Sequence, residues 1–222
     1  MRRQVSLNDG WQYCPSESGE GWESVSLPHT NREVPNGYFD DNICSFISRY
    51  RRTIDLTKRE GEVYRLCFEG ISSYAKLYVN GALVGEHKCA YTDFYADITP
   101  HLKNGKNEIL VIVDSTERAD VPPFGGVVDY LCYGGIYRDA WLIVTDRLYI
   151  ADVYCHSASP VKERDLTVDI TLSGDIEVTA SLLDGNREIA KAAAGAKDGR
   201  AQVKFTHLPV ELWSVKSPKL YT

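Results

Sequence analysis

The residue with the clearest chemical potential in this sequence is Asp129, which stands shortly before the pair Gly134-Gly135. A carboxylate accepts strong hydrogen bonds from hydroxyl groups and binds hard cations. The two glycines indicate a place where the backbone bends or approaches another group closely. Taken alone, Asp129 also fits a solvated loop residue that caps a turn.

A second group of candidates lies in the loop from Glu33 to Ser45, which contains Asn36, Tyr38 and Asp40. Amide and carboxylate groups can hydrogen-bond to a polar ligand, and a flat ring offers an apolar face. The alternative is an Asn-Gly turn at Asn36 followed by a solvated acidic loop. Both interpretations stay open from the residues alone.

Motifs for other kinds of chemistry are missing from the sequence. The glycine pairs fit no phosphate-binding loop, and there is no G-x-S-x-G nucleophile motif or H-E-x-x-H zinc motif. The cysteines are widely spaced without a C-x-x-C pair, so we expect reduced thiols, no metal site and no cofactor. Their positions are Cys14, Cys44, Cys67, Cys89, Cys132 and Cys155.

Composition narrows the partners and the location. The 222 residues carry a net charge of −6, and no basic stripe predicts a nucleic-acid partner. No run of 18 apolar residues predicts a membrane-spanning helix. Because Arg2 and Arg3 are followed by no apolar segment, no secretory signal is predicted and we expect a cytoplasmic protein, unless the start has been trimmed.

The elements that must position the candidate residues are predicted to be strands. Apolar and polar residues alternate at 63–68 and 75–79, which is typical of half-buried strands. Asn80-Gly81 then predicts a tight hairpin, since both positions of a type I′ turn need φ > 0. The run from Glu108 to Val113 is apolar on both faces and predicts a central strand. One helical turn is expected near 98–102, with Thr99 as its cap and Pro100 in its first position.

The character of the chain changes after about Asp146. Cleaner alternation at 166–173 and 176–182 predicts antiparallel sheets with one solvated face. Short strands with regular turns are typical of an immunoglobulin-like sandwich. We therefore predict an all-β protein with two domains, residues 1–146 and 147–222.

A series of motifs in order along the chain resembles glycoside hydrolase family 2. Each motif is weak alone, and together they are specific. They are Leu7-Asn8-Asp9-Gly10-Trp11, Leu27-Pro28-His29-Thr30, Tyr50-Arg51-Arg52, Phe68-Glu69-Gly70, Val79-Asn80-Gly81, Asp97-Ile98-Thr99 and Gly134-Gly135-Ile136-Tyr137-Arg138.

The resemblance implies a jelly-roll sugar-binding domain followed by an immunoglobulin-like β-sandwich. In the family, a (β/α)₈ barrel comes next and supplies two catalytic glutamates for a retaining reaction. This chain shows no barrel-like β/α alternation. We therefore expect a β-galactosidase-like activity of a longer protein that includes the barrel, and we expect this chain alone to be inactive. Residues 147–222 number 76 against about 100 for such a sandwich. We therefore expect a domain about two strands short, with exposed strand edges that allow homo-oligomers.

The resemblance also gives the candidate residues their roles. It implies that Asp129 reaches a sugar pocket shared with the barrel, and in some β-galactosidases also a sodium ion. It implies that the loop with Asn36, Tyr38 and Asp40 lines the pocket rim. It leaves the identity of the sugar open. The alternatives are a stand-alone carbohydrate-binding module and a structural β-sandwich interaction module.

Overall fold

The computed structural model describes residues 2–16, 18–34, 36–37, 40, 43–122 and 132–222. Its ordered elements in that part of the chain are strands and one short 3₁₀ turn at Thr99–His101. The strands are β1 Arg3–Ser6, β2 Trp11–Cys14, β3 Glu23–Val25, β4 Ile47–Leu56, β5 Glu62–Phe68, β6 Tyr74–Val79, β7 Ala82–His87, β8 Phe94–Asp97, β9 Gly105–Asp114, β10 Ala140–Asp146, β11 Ile150–His156, β12 Leu166–Leu172, β13 Glu177–Asp184, β14 Arg187–Gly195 and β15 Arg200–Phe205. The all-β prediction is confirmed.

The chain forms two compact units, Met1–Asp146 and Arg147–Thr222. In the first unit, one sheet has six strands in the order β3-β2-β4-β9-β6-β7, and the other has four in the order β1-β10-β5-β8. All neighbouring strands in both sheets are antiparallel. The two sheets form a β-sandwich, as the sequence predicts.

The core of the first unit lies between these sheets. Tyr50 and Val111 come from the six-stranded sheet, Leu66 comes from the four-stranded sheet, and all three are fully buried. The rings of Trp11 and Phe68 also meet across the gap, with centroids 6.1 Å apart. Period-2 alternation therefore places one face of each sheet inward and leaves the other to solvent.

Of the two turns predicted from the sequence, the Asn80-Gly81 hairpin forms as predicted and the helical turn near 98–102 is capped differently. Asn80 and Gly81 have φ of 51° and 82° and join β6 to β7 as a hairpin. The 3₁₀ turn is present, but Ile98 precedes it as the capping residue and makes no side-chain cap bond. The cap assigned to Thr99 is therefore wrong, because its hydroxyl bonds to the backbone of Tyr64 instead.

The second unit is a smaller two-layer arrangement. One sheet has the order β11-β12-β15 and the other pairs β13 with β14. Val168, Ile170 and Val203 of the first sheet pack with Val178 of the second in a separate core. Six of the seven residues of β11 are exposed, and the other side of β11 from β12 has no strand among the described residues. After β15, Thr222 exchanges two backbone hydrogen bonds with Leu183 of β13, at 2.6 and 3.0 Å.

The described residues contain no helix long and apolar enough to cross a membrane. The six cysteines are free thiols, of which three are buried, two are half-buried and Cys155 is exposed.

Candidate functional site

Two of the four predicted sugar-site residues can be placed. Asn36 is exposed in a turn, followed by Gly37 at φ 76°, and Asp40 is half-buried, with its carbonyl accepting a bond from the Ile43 amide at 3.1 Å. Asp129 and Tyr38 lie outside the described residues. Whether the four side chains meet at one place therefore stays a prediction.

The Gly134-Gly135 pair makes the close approach that the sequence predicts. Ser72 and Gly135 exchange backbone hydrogen bonds of 2.9 and 3.2 Å. The amide of Asn31 donates to the carbonyl of Gly134 at 2.9 Å, and the amide of His29 donates to the carbonyl of Ile136 at 2.8 Å. The glycine pair is thus bonded on both sides by segments that are remote in sequence.

A Cβ atom does not fit at either glycine. At Gly134 it would overlap the side chains of Ser115 and Asn31. At Gly135, where φ is +105°, it would lie 2.6 Å from the Tyr50 hydroxyl and 2.7 Å from the His29 carbonyl oxygen. Both positions therefore require glycine for space, and Gly135 requires it for backbone conformation as well.

Asn31 links the segments around the glycine pair. Its side chain is 3% exposed. The amide nitrogen donates to the carbonyl of Cys44 at 2.8 Å, and the amide oxygen accepts from the backbone N–H of Gly134 at 3.2 Å. Its own carbonyl accepts from the Tyr13 hydroxyl at 2.6 Å. We call residues 29–31, 44, 72, 115 and 134–135 the glycine junction.

Both candidate loops begin and end at the glycine junction. The loop with Asn36 and Asp40 leaves it at Asn31 and returns at Cys44. The segment that includes Asp129 leaves it at Ser115 and returns at Gly134. Ser115 is fixed there, since its hydroxyl donates to the carbonyl of Ser72 at 2.9 Å and its amide donates to that of Phe46 at 3.2 Å.

Sequence reasoning missed Asn31. It follows directly after the Leu27-Pro28-His29-Thr30 motif, which was the one signal that could have drawn attention to it. A buried asparagine that bonds two backbone groups ties their two segments together, and the Gly134 N–H would cost free energy if it lost this partner.

The rings of Tyr13, His29 and Tyr50 pack against one another beside the glycine pair. His29 Nδ1 lies 2.8 Å from the Tyr50 hydroxyl, and the Tyr13 ring lies 4.7 Å from that of His29 and 4.9 Å from that of Tyr50. Burial raises the pKa of both tyrosine hydroxyls far above their usual 10, so neither ionises near neutral pH. Burial also lowers the pKa of His29 below its usual 6.5, against the opposing effect of Glu23 and Glu33. A neutral His29 can accept the Tyr50 proton at Nδ1.

The lowered pKa of His29 predicts an acid-sensitive stability of the first unit. The unfolded chain binds a proton at His29 near pH 6.5, whereas the folded chain resists it. Stability from this residue is therefore complete above pH 6.5 and is lost as pH falls through the lowered folded pKa. We expect the free energy of unfolding in urea to fall from pH 7 to pH 5 more steeply in the native chain than in His29→Gln.

The pH range from 7 to 5 separates the effect of His29 on stability from the effects of the carboxylates with lowered pKa values. Asp120 titrates at about 2, since Lys88 and Arg118 bond to it, and the pKa values of Asp165 and Asp169 also lie below the usual 3.8. Their effects appear at lower pH than the effect of His29. Equal pH slopes for the native chain and His29→Gln between pH 7 and 5 would contradict the assignment.

Among the described residues, no group of three or more His, Cys, Asp or Glu side chains is arranged to hold a metal ion. The glycine junction contributes position rather than chemistry, because its buried hydrogen bonds fix the ends of the two candidate loops.

Comparison with known proteins assigns the chain to a family. The family model described as "Glycosyl hydrolases family 2, sugar binding domain" matches residues 28–146, which is more than half of the chain. The chain belongs to glycosyl hydrolase family 2. The matched region contains the whole glycine junction and both loops that leave it.

Relatives of this family 2 chain include two β-galactosidases. The protein from Thermoanaerobacter pseudethanolicus is 45% identical over 165 residues, which cover 69% of this chain and 22% of that protein. The protein from Thermoanaerobacterium thermosulfurigenes is 32% identical over 246 residues, which cover 100% of this chain and 34% of that protein. The chain therefore spans between a fifth and about a third of the length of these relatives. Proteins named β-glucuronidase also match, at 27% and 28% identity.

The fold of this family 2 chain also matches solved structures. The crystal structure of a putative β-galactosidase from Bacteroides fragilis superposes with a TM-score of 0.83 at 30% identity. The match covers 99% of this chain and 38% of that one.

Proposed function

We propose that this chain is the N-terminal region of a retaining family 2 β-glycosidase of the β-galactosidase-like type. The family match supports the glycosidase class, and the two β-galactosidase relatives favour that branch. In this proposal residues 1–146 are the sugar-binding jelly-roll domain and residues 147–222 are an immunoglobulin-like domain. The hydrolysis of β-glycosidic bonds is a property of the longer protein.

The observation that carries the proposal is the convergence of two loops on Asn31. One amide side chain bonds both Cys44 and Gly134. The loop with Asn36, Tyr38 and Asp40 and the segment with Asp129 therefore end at one fixed place. In the proposal these residues reach a sugar held in a pocket shared with a barrel domain. Asp129 accepts hydrogen bonds from the sugar hydroxyls, and the other three form the rim.

We propose that the 222-residue chain alone has no glycosidase activity. A retaining mechanism needs two carboxyl groups about 5–5.5 Å apart on either side of the bond that breaks. The family resemblance places both on the barrel, and no stretch of this sequence resembles those barrel segments. Without both groups, substrate contacts from the jelly roll have no nucleophile or acid to position.

Incubation of the chain with nitrophenyl β-galactoside tests this proposal. We expect no release of nitrophenol above the buffer blank. Reproducible turnover by the native chain that Asp129→Ala abolishes would overturn it, because it would show a complete active site here. Turnover that persists in Asp129→Ala would point to a contaminating enzyme, which mass spectrometry of the sample would identify.

A binding measurement separates one of the two alternative functions from the proposed one. A stand-alone carbohydrate-binding module would hold neutral galactosides tightly, whereas half of a shared pocket is expected to bind methyl β-galactoside more weakly than about 1 mM. A structural interaction module would hold none. Titration of the chain with methyl β-galactoside, followed by NMR, distinguishes the first of these from the proposal.

We also infer that the chain can self-associate through exposed strand edges. The support comes from β11, which carries Val153 and Tyr154 at 49% and 62% exposure and lacks a strand on one side among the described residues. An exposed edge with apolar side chains and no lysine or proline is open to pairing with another strand.

A further inference from the structure

A groove crosses the outer face of the six-stranded sheet, over β3, β2, β4 and β9. Its volume is about 700 Å³, which is within the range of small-molecule sites. On this face Ser24 lies opposite Gln12, Gln12 opposite Arg51, and Thr53 opposite Glu108. A Cβ atom on Gly10, which also lines the groove, would meet no atom within 4 Å. The groove is therefore open where a side chain would otherwise fill it.

The groove is separate from the glycine junction. Arg51 on β4 lines the groove, whereas its neighbour Tyr50 points into the core and bonds to His29 of the junction. Successive side chains of a strand face opposite sides of the sheet. The two places thus lie on opposite faces of one strand.

Arg51 is held in a fixed orientation in this groove. Its Nε donates to the side-chain oxygen of Gln12 at 2.7 Å, and its guanidinium carbon lies 4.1 Å from the centre of the Trp22 ring. A guanidinium that is already ordered loses little freedom when it binds. Its two terminal nitrogens form the planar fork that matches a carboxylate.

The next residue, Arg52, points to the other face of the sheet, since it lies opposite the buried Ile109 of β9. Its Nη1 donates to the backbone carbonyls of Leu7 and Asp9, which fix the side chain. Its Nε is buried and finds no hydrogen-bond partner among the described residues. Burial lowers the pKa of this guanidinium, against the opposing effect of the Asp9 carboxylate, and Arg52 adds no charge to the groove.

The remaining polar groups in the groove suit hydroxyls. Ser24 and Thr53 are exposed and offer hydroxyl groups, and Glu108 offers a carboxylate acceptor. The ionised side chains on this face are thus the Arg51 guanidinium and the Glu108 carboxylate. A ligand that satisfies both kinds of group carries a carboxylate together with several hydroxyls.

We propose that this groove binds a carboxylate-bearing, polyhydroxylated ligand, with a uronic acid unit of an acidic saccharide as its occupant. The carboxylate pairs with the Arg51 fork, and a hydroxyl donates to Glu108. The proposal does not depend on the proposed glycosidase function, because it concerns other residues and another ligand. A small free hydroxy acid has the same chemistry and is the second source that the experiment must distinguish.

Titration of the ¹⁵N-labelled chain followed by NMR tests the proposal. The probes are methyl β-galacturonide, methyl β-galactoside, which has a hydroxymethyl group in place of the carboxylate, and malate. We expect the galacturonide to shift amide signals of β2, β3 and β4 and to bind at least about 10-fold more tightly than the galactoside, since charge-assisted bonds are the strong ones. Malate offers a carboxylate but only one hydroxyl, so it is expected to bind more weakly than the galacturonide.

Three variants locate the binding. Arg51→Gln removes the charge and is expected to weaken galacturonide binding by about 10-fold or more. Because this change could also disturb Trp22, Ser24→Tyr fills the groove from an exposed position and is expected to abolish binding without lowering the melting temperature. Arg187→Gln, on exposed β14, is the matched control and should bind as the native chain does.

Each contrary outcome bears on a different part of the proposal. Equal affinities for galacturonide and galactoside would overturn the role of the charge. Unchanged binding in both Arg51→Gln and Ser24→Tyr would overturn the location. Malate binding as tightly as galacturonide would overturn the saccharide as occupant, and no shift with any probe would overturn the site itself.

Discussion

Replacement of Gly135 by alanine is expected to destabilise the first unit by about 3 kcal/mol or more. The new Cβ would lie 2.6 Å from the Tyr50 hydroxyl and 2.7 Å from the His29 carbonyl oxygen, and the second of these is backbone that cannot rotate away. Overpacking of this kind costs about 1–3 kcal/mol. An L-residue in a left-handed conformation, as at φ +105°, costs about 1–2 kcal/mol more. Urea unfolding followed by tryptophan fluorescence measures the change.

Gly81→Ala is the matched control for this prediction. Gly81 also has a positive φ, 82°, but a Cβ there would meet no atom within 4 Å. It should therefore show only the conformational cost of about 1–2 kcal/mol. If both variants lose the same stability, crowding at the glycine junction contributes nothing and the packing argument is wrong.

Replacement of Asn31 by alanine has the second largest expected effect. It leaves the Gly134 N–H buried without its side-chain partner, which costs about 1–3 kcal/mol. It also removes one of the two bonds of the Cys44 carbonyl, worth about 0.5–1.5 kcal/mol, since the Phe46 amide still donates to that carbonyl at 3.2 Å. We expect a total loss of about 1.5–4.5 kcal/mol in urea unfolding. Hydrogen exchange at the Gly134 amide should also accelerate, since that bond ties the returning segment to the frame.

Two further variants sharpen the test of Asn31. Asn31→Asp keeps the shape but turns an oxygen toward the Cys44 carbonyl, so it should be at least as destabilising as alanine. Asn36→Ala, in the same loop but exposed, should change stability by less than about 0.5 kcal/mol. A loss in Asn31→Ala no greater than that in Asn36→Ala would show that the junction does not depend on this side chain.

Local patterns were sufficient to predict most of the fold. Period-2 alternation predicts β5 and β6, and the Asn80-Gly81 pair predicts β7 as the hairpin partner of β6. The run from Glu108 to Val113, which is apolar on both faces, predicts β9 as a central strand. Each of these sequence patterns lies within a few residues of the strand or turn that it predicts. The close approach at Gly134-Gly135 was also predicted, because a glycine pair before a buried strand has few other uses.

The candidate site was less accessible to such reasoning. The bond from Gly134 to Asn31 joins residues 103 positions apart, and no local pattern announces it. Thr99 failed as a cap for a similar reason, since Tyr64, 35 residues away, takes its hydroxyl. The sugar contacts of Asp129 and Tyr38 remain predictions that rest on the family resemblance.

The place of β10 in its sheet has a consequence for biosynthesis. This last strand of the first unit lies between β1 and β5, and its residues pair with both. While the ribosome is still making residues before Ala140, β1 has no neighbour in that sheet and β5 has only β8. The sandwich can close only after Asp146 has left the exit tunnel, so the nascent unit keeps one layer open until late in its synthesis.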